Sequence, residues 1–278
     1  MVKFGPAGRS DEDVATNLSY AKLFEKINDL GLDAVELPFT FGVKMTSELA
    51  QELNQKAKEL GIKISGHAPY YINFANPDKL KIDGTISYLM QTVKKVKELG
   101  GNRVVFHPGS ELKQKREDAV NNVLKNLKVF LSALDKEKID GVYICPETMG
   151  KHGQIGTPDE VAEMCKLDSR IIPTLDFGHI NAFYGGSLKT KQDFIDIIKK
   201  FTNIGKTEIH IHFSKIEYGA KGEIKHLTFD DEKFGPDYKL MIDALKEFPD
   251  VNFGVICESS GTQSKDSKIM QEYFKKVF

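Results

Sequence analysis

The chain predicts an α/β protein folded as a single (β/α)8, or TIM, barrel. Three observations carry that prediction. Short β-branched or aromatic runs alternate with longer stretches of helical period along the whole length, the pattern of repeated βαβ units. Each kind of segment occurs eight times. Six of the strand-like runs lead into a metal-binding residue type: KISGH into His67, RVVFH into His107, VYICPE into Glu147, IIPTLD into Asp176, IHIH into His212 and GVICE into Glu258. A barrel gathers the carboxyl ends of its strands at one mouth, so residues far apart in the chain share a pocket there.

VKFGP opens the chain as the first strand, and residues 15–30 read as a helix stopped by Gly31. DAVELPF is the second strand, followed by a helix over 47–60 that Gly61 ends. IKISG is the third strand, and a long helical pattern over 79–99 stops at Gly100-Gly101. RVVFH, a helix over 114–134 and VYICP come next. Thr157 then reads as a helix N-cap, with Pro158 at the first helical position and Glu160 three beyond the cap. IIPTLDF, a helix over 189–201, TEIHIHF, a helix over 236–247 with Pro at its start, VNFGVICE and a helix over 263–276 complete the order. The loops over 67–78, 147–157 and 213–235 are long for βα connections, and that side of a barrel is where catalysis and recognition reside.

The 278 residues suit one large domain, and no Ser/Gly-rich linker divides 1–278. Lys and Arg number 39 against 40 Asp and Glu, which excludes a broadly basic, nucleic-acid-coating protein. Nucleic acid itself is not excluded, because bound cations invert the field of an acidic pocket. The Lys- and Glu-rich charge is compatible with a heat-adapted source. Cys145, Cys165 and Cys257 lack the even count and close spacing of a disulfide framework, and two of them sit in apolar runs as small hydrophobes. The start, MVKFGPAG, has no apolar run of signal-peptide type and no stretch reaches membrane-span length, so an intracellular, cytoplasmic protein is expected.

Imidazole nitrogen with carboxylate oxygen suits zinc and similar divalent ions. Six such groups exceed the needs of one ion, so two or more ions are expected if all six converge. His179, three residues after Asp176, adds to the set. His226 and Glu223, in the long loop after the seventh strand, are candidates for a third ion. His210 alternates with His212 at period two and reads as a buried support or core residue, while His152 suits a solvated or substrate-touching role.

The runs GHAPYYINFANP, VVFHPGS, ICPETMGKHGQIGT, LDFGHINA, IHIHFS and ICESSG, in this order, resemble the endonuclease IV family of apurinic/apyrimidinic endonucleases over nearly the whole chain. The resemblance implies a xylose-isomerase-like TIM barrel with a trinuclear zinc cluster. Carried over by motif, His67, His107 and Glu147 match the ligands of a first ion, and Glu147 the carboxylate that bridges to a second. Asp176, His212 and Glu258 match the rest of the second site, and His179 with the 223–226 segment the third. The family's D-x-H pair reads Glu223-Ile224-Lys225-His226 here, and its H-L-N-D reads His212-Phe213-Ser214-Lys215. Tyr70 matches the family's wedging tyrosine, and Lys44 lies where the family carries an Arg that enters the duplex. Lys215, Lys221 and Lys225 are candidate phosphate contacts.

The implied reaction is metal-dependent hydrolysis of the phosphodiester 5′ to an abasic site, as in base excision repair. Two or three Zn2+ ions, or other divalent ions such as Mn2+, would serve it, with Glu147 orienting the nucleophilic hydroxide. The implied partner is double-stranded DNA containing abasic sites, met by a monomer at the nucleoid, with no organic cofactor and no membrane. Three alternatives stand beside this: a sugar isomerase or epimerase of the xylose-isomerase-like barrels, a metal-bound DNA-binding protein without catalysis, and a structural barrel with no bound metal.

Overall fold

The structure, a computed structural model, describes residues 1–278. Eight parallel strands form the barrel, labelled here in chain order: β1 (Val2–Pro6), β2 (Ala34–Pro38), β3 (Lys63–His67), β4 (Arg103–Phe106), β5 (Tyr143–Pro146), β6 (Thr174–Asp176), β7 (Glu208–Phe213) and β8 (Asn252–Cys257). They pair as two four-stranded arcs, one running from β2 to β5 and the other from β6 through β7 and β8 to β1. The arcs join through parallel bridges, Ala7 to Glu36 on one side and Ile144 to Ile171 and Glu147 to Thr174 on the other. The outcome is the (β/α)8 barrel that the alternating periods predict.

All eight expected outer helices are present. Ser47–Leu60 shows why they form where they do. The Thr46 hydroxyl accepts from the Leu49 amide at the start, Gly61 takes the left-handed conformation (φ 71°) at the end, and Ala50, Leu53 and Ala57 make one buried face. A cap of this kind is worth about 1 kcal/mol, and burying a Leu contributes roughly 2 kcal/mol. At Pro158–Cys165 the expected capping box is formed, Thr157 accepting from the Glu160 amide and Glu160 accepting from the Thr157 amide.

Other expectations are corrected. The single helix over 15–30 is two, Asp11–Ala15 and Tyr20–Asp29. Asn17 adopts φ 49°, which no helix continues, and Ser19 caps the second piece by accepting from Lys22 N. The helix expected over 236–247 spans Tyr238–Leu245 with Asp237 as its cap, so Pro236 precedes the cap instead of holding the first helical position. β6 is shorter than IIPTLDF, because Pro173 has no amide for a ladder and Asp176 already caps a further short helix, Phe177–Phe183. The 213–235 loop carries an antiparallel hairpin, Lys215–Gly219 with Gly222–Leu227.

Strand parity sorts the barrel interior. Below the mouth, half of the lumen is apolar, built from Val105, Cys145 and Ile172 with Tyr143 against them. The other half is polar: Glu36, Ser65 and His210 are all buried there. The main apolar core lies outside this lumen, between strands and helices, with Phe4, Phe106, Phe130, Phe177 and Phe213 fully buried.

Candidate metal centre

At the carboxyl mouth the six strand-end residues converge. They line, or lie beneath, a cavity of about 510 Å³ whose walls include His67, Tyr70, His107, Lys151, His179, Glu223, His226 and Glu258. Glu147 sits at the centre and is wholly buried. Its Oε2 lies 3.1 Å from His67 Nε2 and 3.1 Å from His107 Nε2. Its Oε1 lies 2.9 Å from His212 Nδ1 and 3.5 Å from His179 Nδ1. Four donor groups result: His67, His107 and Glu147; Glu147, Asp176, His212 and Glu258; His179, Glu223 and His226; and, beneath them, Glu36, His210 and His212. Within each group the donor atoms lie within 4.8 Å of one another.

The local sequence explains how each donor is aimed. Asp176 ends β6 and caps the next helix, its Oδ1 accepting from the His179 amide at 2.7 Å, so the D-x-x-H spacing places both side chains at the mouth. His67 turns Nδ1 to the Ala68 carbonyl at 2.9 Å, and His179 turns Nδ1 to the Thr148 carbonyl at 3.0 Å. A carbonyl only accepts, so each of these nitrogens carries the proton and Nε2 faces the pocket. His226 rests against Ser214 Oγ at 2.9 Å. Ser214, one of the departures from the family motif, thereby orients the hairpin's imidazole.

The hairpin reaches the site by close backbone approach. The Glu223 amide donates to the Gly150 carbonyl at 2.9 Å. A Cβ on Gly150 would stand 2.8 Å from Glu223 Cβ and 3.0 Å from the His179 ring, so glycine is required there. Glu223 Oε2 is 3.5 Å from His179 Nε2 and its Oε1 3.9 Å from His226 Nε2, so the carboxylate stands beside both imidazoles although the D-x-H spacing is absent.

The electrostatics show a pocket built around positive charge. Glu36, Glu147, Asp176, Glu223 and Glu258 bring five carboxylates together, and unpaired buried charge of this kind costs several kcal/mol per ion. Burial pushes the Glu147 carboxyl up, but His212, His107 and His179 outweigh it and hold the group well below the usual range. Burial likewise opposes protonation of His67 and His179. The Glu147 carboxylate overrides it at His67, reaching about 9, and Asp176 with Glu147 does so at His179, reaching about 10. Glu258 is pushed up, by burial first, so the imidazoles do not balance all of the negative charge. Asp176 Oδ2 is buried without a hydrogen-bond partner. This orphaned acceptor, the excess carboxylate and a nitrogen/oxygen donor set together fit divalent ions of zinc type.

Several residues fall elsewhere. His210 is buried below the cluster, its Nε2 2.9 Å from Glu36 Oε2, the supporting place its parity with His212 suggested. His152 holds the Phe183 carbonyl and does not line the cavity. Lys215 is engaged by the carbonyls of Phe229 and Asp231, which removes it as a free phosphate contact. Lys225 pairs with Glu217 on the exposed hairpin, Lys221 is exposed beside the turn, and Lys44 is exposed on the loop after β2, outside the cavity lining. Tyr70 stands 61% exposed at the rim and stacks on His107 at 5.3 Å. Glu36 and Lys151 also line the cavity, where neither was expected. An acidic residue inside the apolar run AVELP was the available signal for Glu36.

Fold and site define a metal-binding α/β barrel of hydrolase type. The family model described as xylose isomerase-like TIM barrel matches residues 24–276. The chain is 36% identical over 265 residues to the uncharacterized protein MJ0133 of Methanocaldococcus jannaschii, covering 93% of this chain and 92% of that one. It is 32% identical over 205 residues to a probable endonuclease 4 of Mycoplasmopsis synoviae, covering 72% of this chain and 70% of the relative. The chain belongs to the endonuclease IV family within the xylose-isomerase-like TIM barrels. Among solved structures it superposes on a D-tagatose 3-epimerase-like protein (TM-score 0.75, 23% identity, 99% and 98% of the two chains). It also superposes on endonuclease IV from Thermus thermophilus (TM-score 0.68, 14% identity, 99% of each chain). At these identities the superpositions speak for the fold alone. No helix is long and apolar enough to cross a membrane.

Proposed function

We propose that this protein is a zinc-dependent endonuclease that hydrolyses the phosphodiester 5′ to abasic sites in double-stranded DNA. The observation that carries the reading is the position of Glu147 between two donor groups, with one oxygen toward His67 and His107 and the other toward His212. A third group, His179, Glu223 and His226, lies beside it. A carboxylate shared in this way suits adjacent ions gripping one phosphate better than a single ion gripping a sugar.

In this reading His67, His107 and Glu147 hold the first ion; Glu147, Asp176, His212 and Glu258 the second; and His179, Glu223 and His226 the third. Bound there, such ions supply a water of lowered pKa and neutralise charge on the phosphate oxygens and the leaving group. The chain's own residues do the rest. Glu147 orients the nucleophile and sets the spacing of the two sites. Tyr70, flat and exposed at the rim, replaces lost stacking beside a nucleotide without a base, which turns out of the helix at low cost. Lys151, at the cavity wall 4.0 Å from Glu223, meets a phosphate at the mouth, and Lys44, Lys221 and Lys225 steer the backbone around it. An enzyme with this substrate works in the cytoplasm at the nucleoid, as a monomer.

The test is incision of a duplex oligonucleotide carrying one tetrahydrofuran abasic analogue, with the protein loaded with Zn2+ or Mn2+. Cleavage on the 5′ side is expected. Absence of cleavage with every divalent ion, together with interconversion of ketose epimers, would replace the reading with a sugar epimerase.

A further inference from the structure

We propose that Glu36 is a positioning residue for His212, accepting from the Nε2–H of that imidazole so that the Nδ1 lone pair faces the ion shared with Glu147, Asp176 and Glu258. The inference rests on reading His212 as a ligand and adds a residue that the ligand set does not contain. His212 Nδ1 lies 2.9 Å from Glu147 Oε1 and 3.5 Å from Glu258 Oε1, while Nε2 lies 2.9 Å from Glu36 Oε1 on the opposite side of the ring. A neutral imidazole has one lone pair and one N–H, so what holds the far nitrogen decides which atom serves the ion. His67, His179 and His226 are held at the far nitrogen by the Ala68 carbonyl, the Thr148 carbonyl and the Ser214 hydroxyl. For His212 the holder is a buried carboxylate, which fixes the ring and makes it a more basic ligand.

The 2.9 Å contact is oblique. Glu36 Oε1 and His212 Nε2 face each other, yet neither has an aligned hydrogen bond.

Glu36 is itself held from below. Its Oε2 accepts from Ser65 Oγ at 2.8 Å and from His210 Nε2 at 2.9 Å. His210 Nδ1 faces Arg103 Nη1 at 3.4 Å. A guanidinium only donates, so Nδ1 accepts and the His210 proton sits on Nε2. That nitrogen has no lone pair to offer, which makes Glu36, His210 and His212 a hydrogen-bonded support and not another cation site. Arg103 is anchored by Glu208 at 2.6 Å and by the Ile209 carbonyl at 3.2 Å. A continuous set of side chains therefore runs from the amino-terminal mouth of the barrel to the back of the metal pocket.

The test uses Glu36→Gln in the full chain, loaded with Co2+ as the probe and titrated against a chromophoric chelator while the visible absorption is recorded. One equivalent is expected to weaken by about 10–100-fold with a shifted absorption band, the remaining equivalents being retained. Unchanged affinities and an unchanged spectrum in folded Glu36→Gln would overturn the proposal. If that variant does not fold, Ser65→Ala takes its place. It leaves the carboxylate and removes one of its donors, and a weakening of the same equivalent by roughly threefold or more is expected. No change there overturns the proposal equally. A wild-type chain that binds no Co2+ would instead refute the metal reading itself, a result these variants cannot mimic.

Discussion

Glu223 is fastened to Gly150 by its own backbone, the amide of one donating to the carbonyl of the other at 2.9 Å, and this contact carries the hairpin to the metal pocket. Gly150→Ala puts a methyl group 2.8 Å from Glu223 Cβ and 3.0 Å from the His179 ring, so the hairpin must withdraw. The expected result is loss of the ion held by His179, Glu223 and His226, with the other sites kept. Metal content by atomic emission should fall by about one equivalent while thermal stability changes by no more than ~2 kcal/mol.

Glu147→Gln removes the charge shared by two donor groups and leaves His67, His107 and His212 facing an amide. Metal retention and abasic-site cleavage are both expected to fall by at least ~100-fold. Full cleavage by folded Glu147→Gln would end the case for a shared carboxylate.

Protons and cations compete for the same imidazoles. In the metal-free protein His67 titrates at about 9 and His179 at about 10, so both are protonated at neutral pH and an incoming ion must displace those protons. Metal affinity therefore rises with pH and falls on acidification. Calorimetric titrations in buffers of different ionisation enthalpy should report net proton release near pH 7. The same shifts set the stability of the metal-free chain. A histidine whose folded pKa is raised contributes stability that is complete below about 6.5 and is lost as pH climbs through about 9 to 10. The melting temperature of chelator-treated protein should fall across that window, while that of loaded protein should not.

Tyr70 stacks on His107 and stands exposed at the rim, where the proposed contact with DNA would be made by a neutral ring. Tyr70→Phe should cleave nearly as well as wild type. Tyr70→Ala should bind abasic duplex roughly 10-fold more weakly, measured by fluorescence anisotropy with Ca2+ replacing the active ion.

Thr157 and Glu160 cap Pro158–Cys165 reciprocally, and Glu160 also accepts from Arg116, whose guanidinium reaches the carbonyls of His152 and Gln154. Thr157→Ala is expected to cost about 1 kcal/mol, seen as a lower urea midpoint with an unchanged slope.

The order of strands and outer helices was legible because period two and period 3.6 alternate cleanly, and because helix 47–60 carries its stop signal in Gly61. Legibility failed where one residue overrides a pattern. Asn17 in the left-handed region splits an otherwise continuous amphipathic stretch. The helix Phe177–Phe183 begins on the last residue of β6, so seven residues had no room to display a period. The strand-end donors were readable because each terminates its run. Glu36 was not, because it sits in mid-strand and its meaning depends on β7 lying across the lumen, with His210 and His212 turned toward it. The fate of Lys215 depends likewise on where the Phe229 and Asp231 carbonyls end up, which no local pattern encodes.

β8 pairs with β1 on one side and β7 on the other, and it delivers Glu258. Until that strand has emerged from the ribosome, the first strand of the nascent chain has no ladder partner on that side and the second donor group lacks a member. Closure of the ring and completion of the ion-holding pocket are the same late event, and a polypeptide cut short before residue 252 is deprived of both.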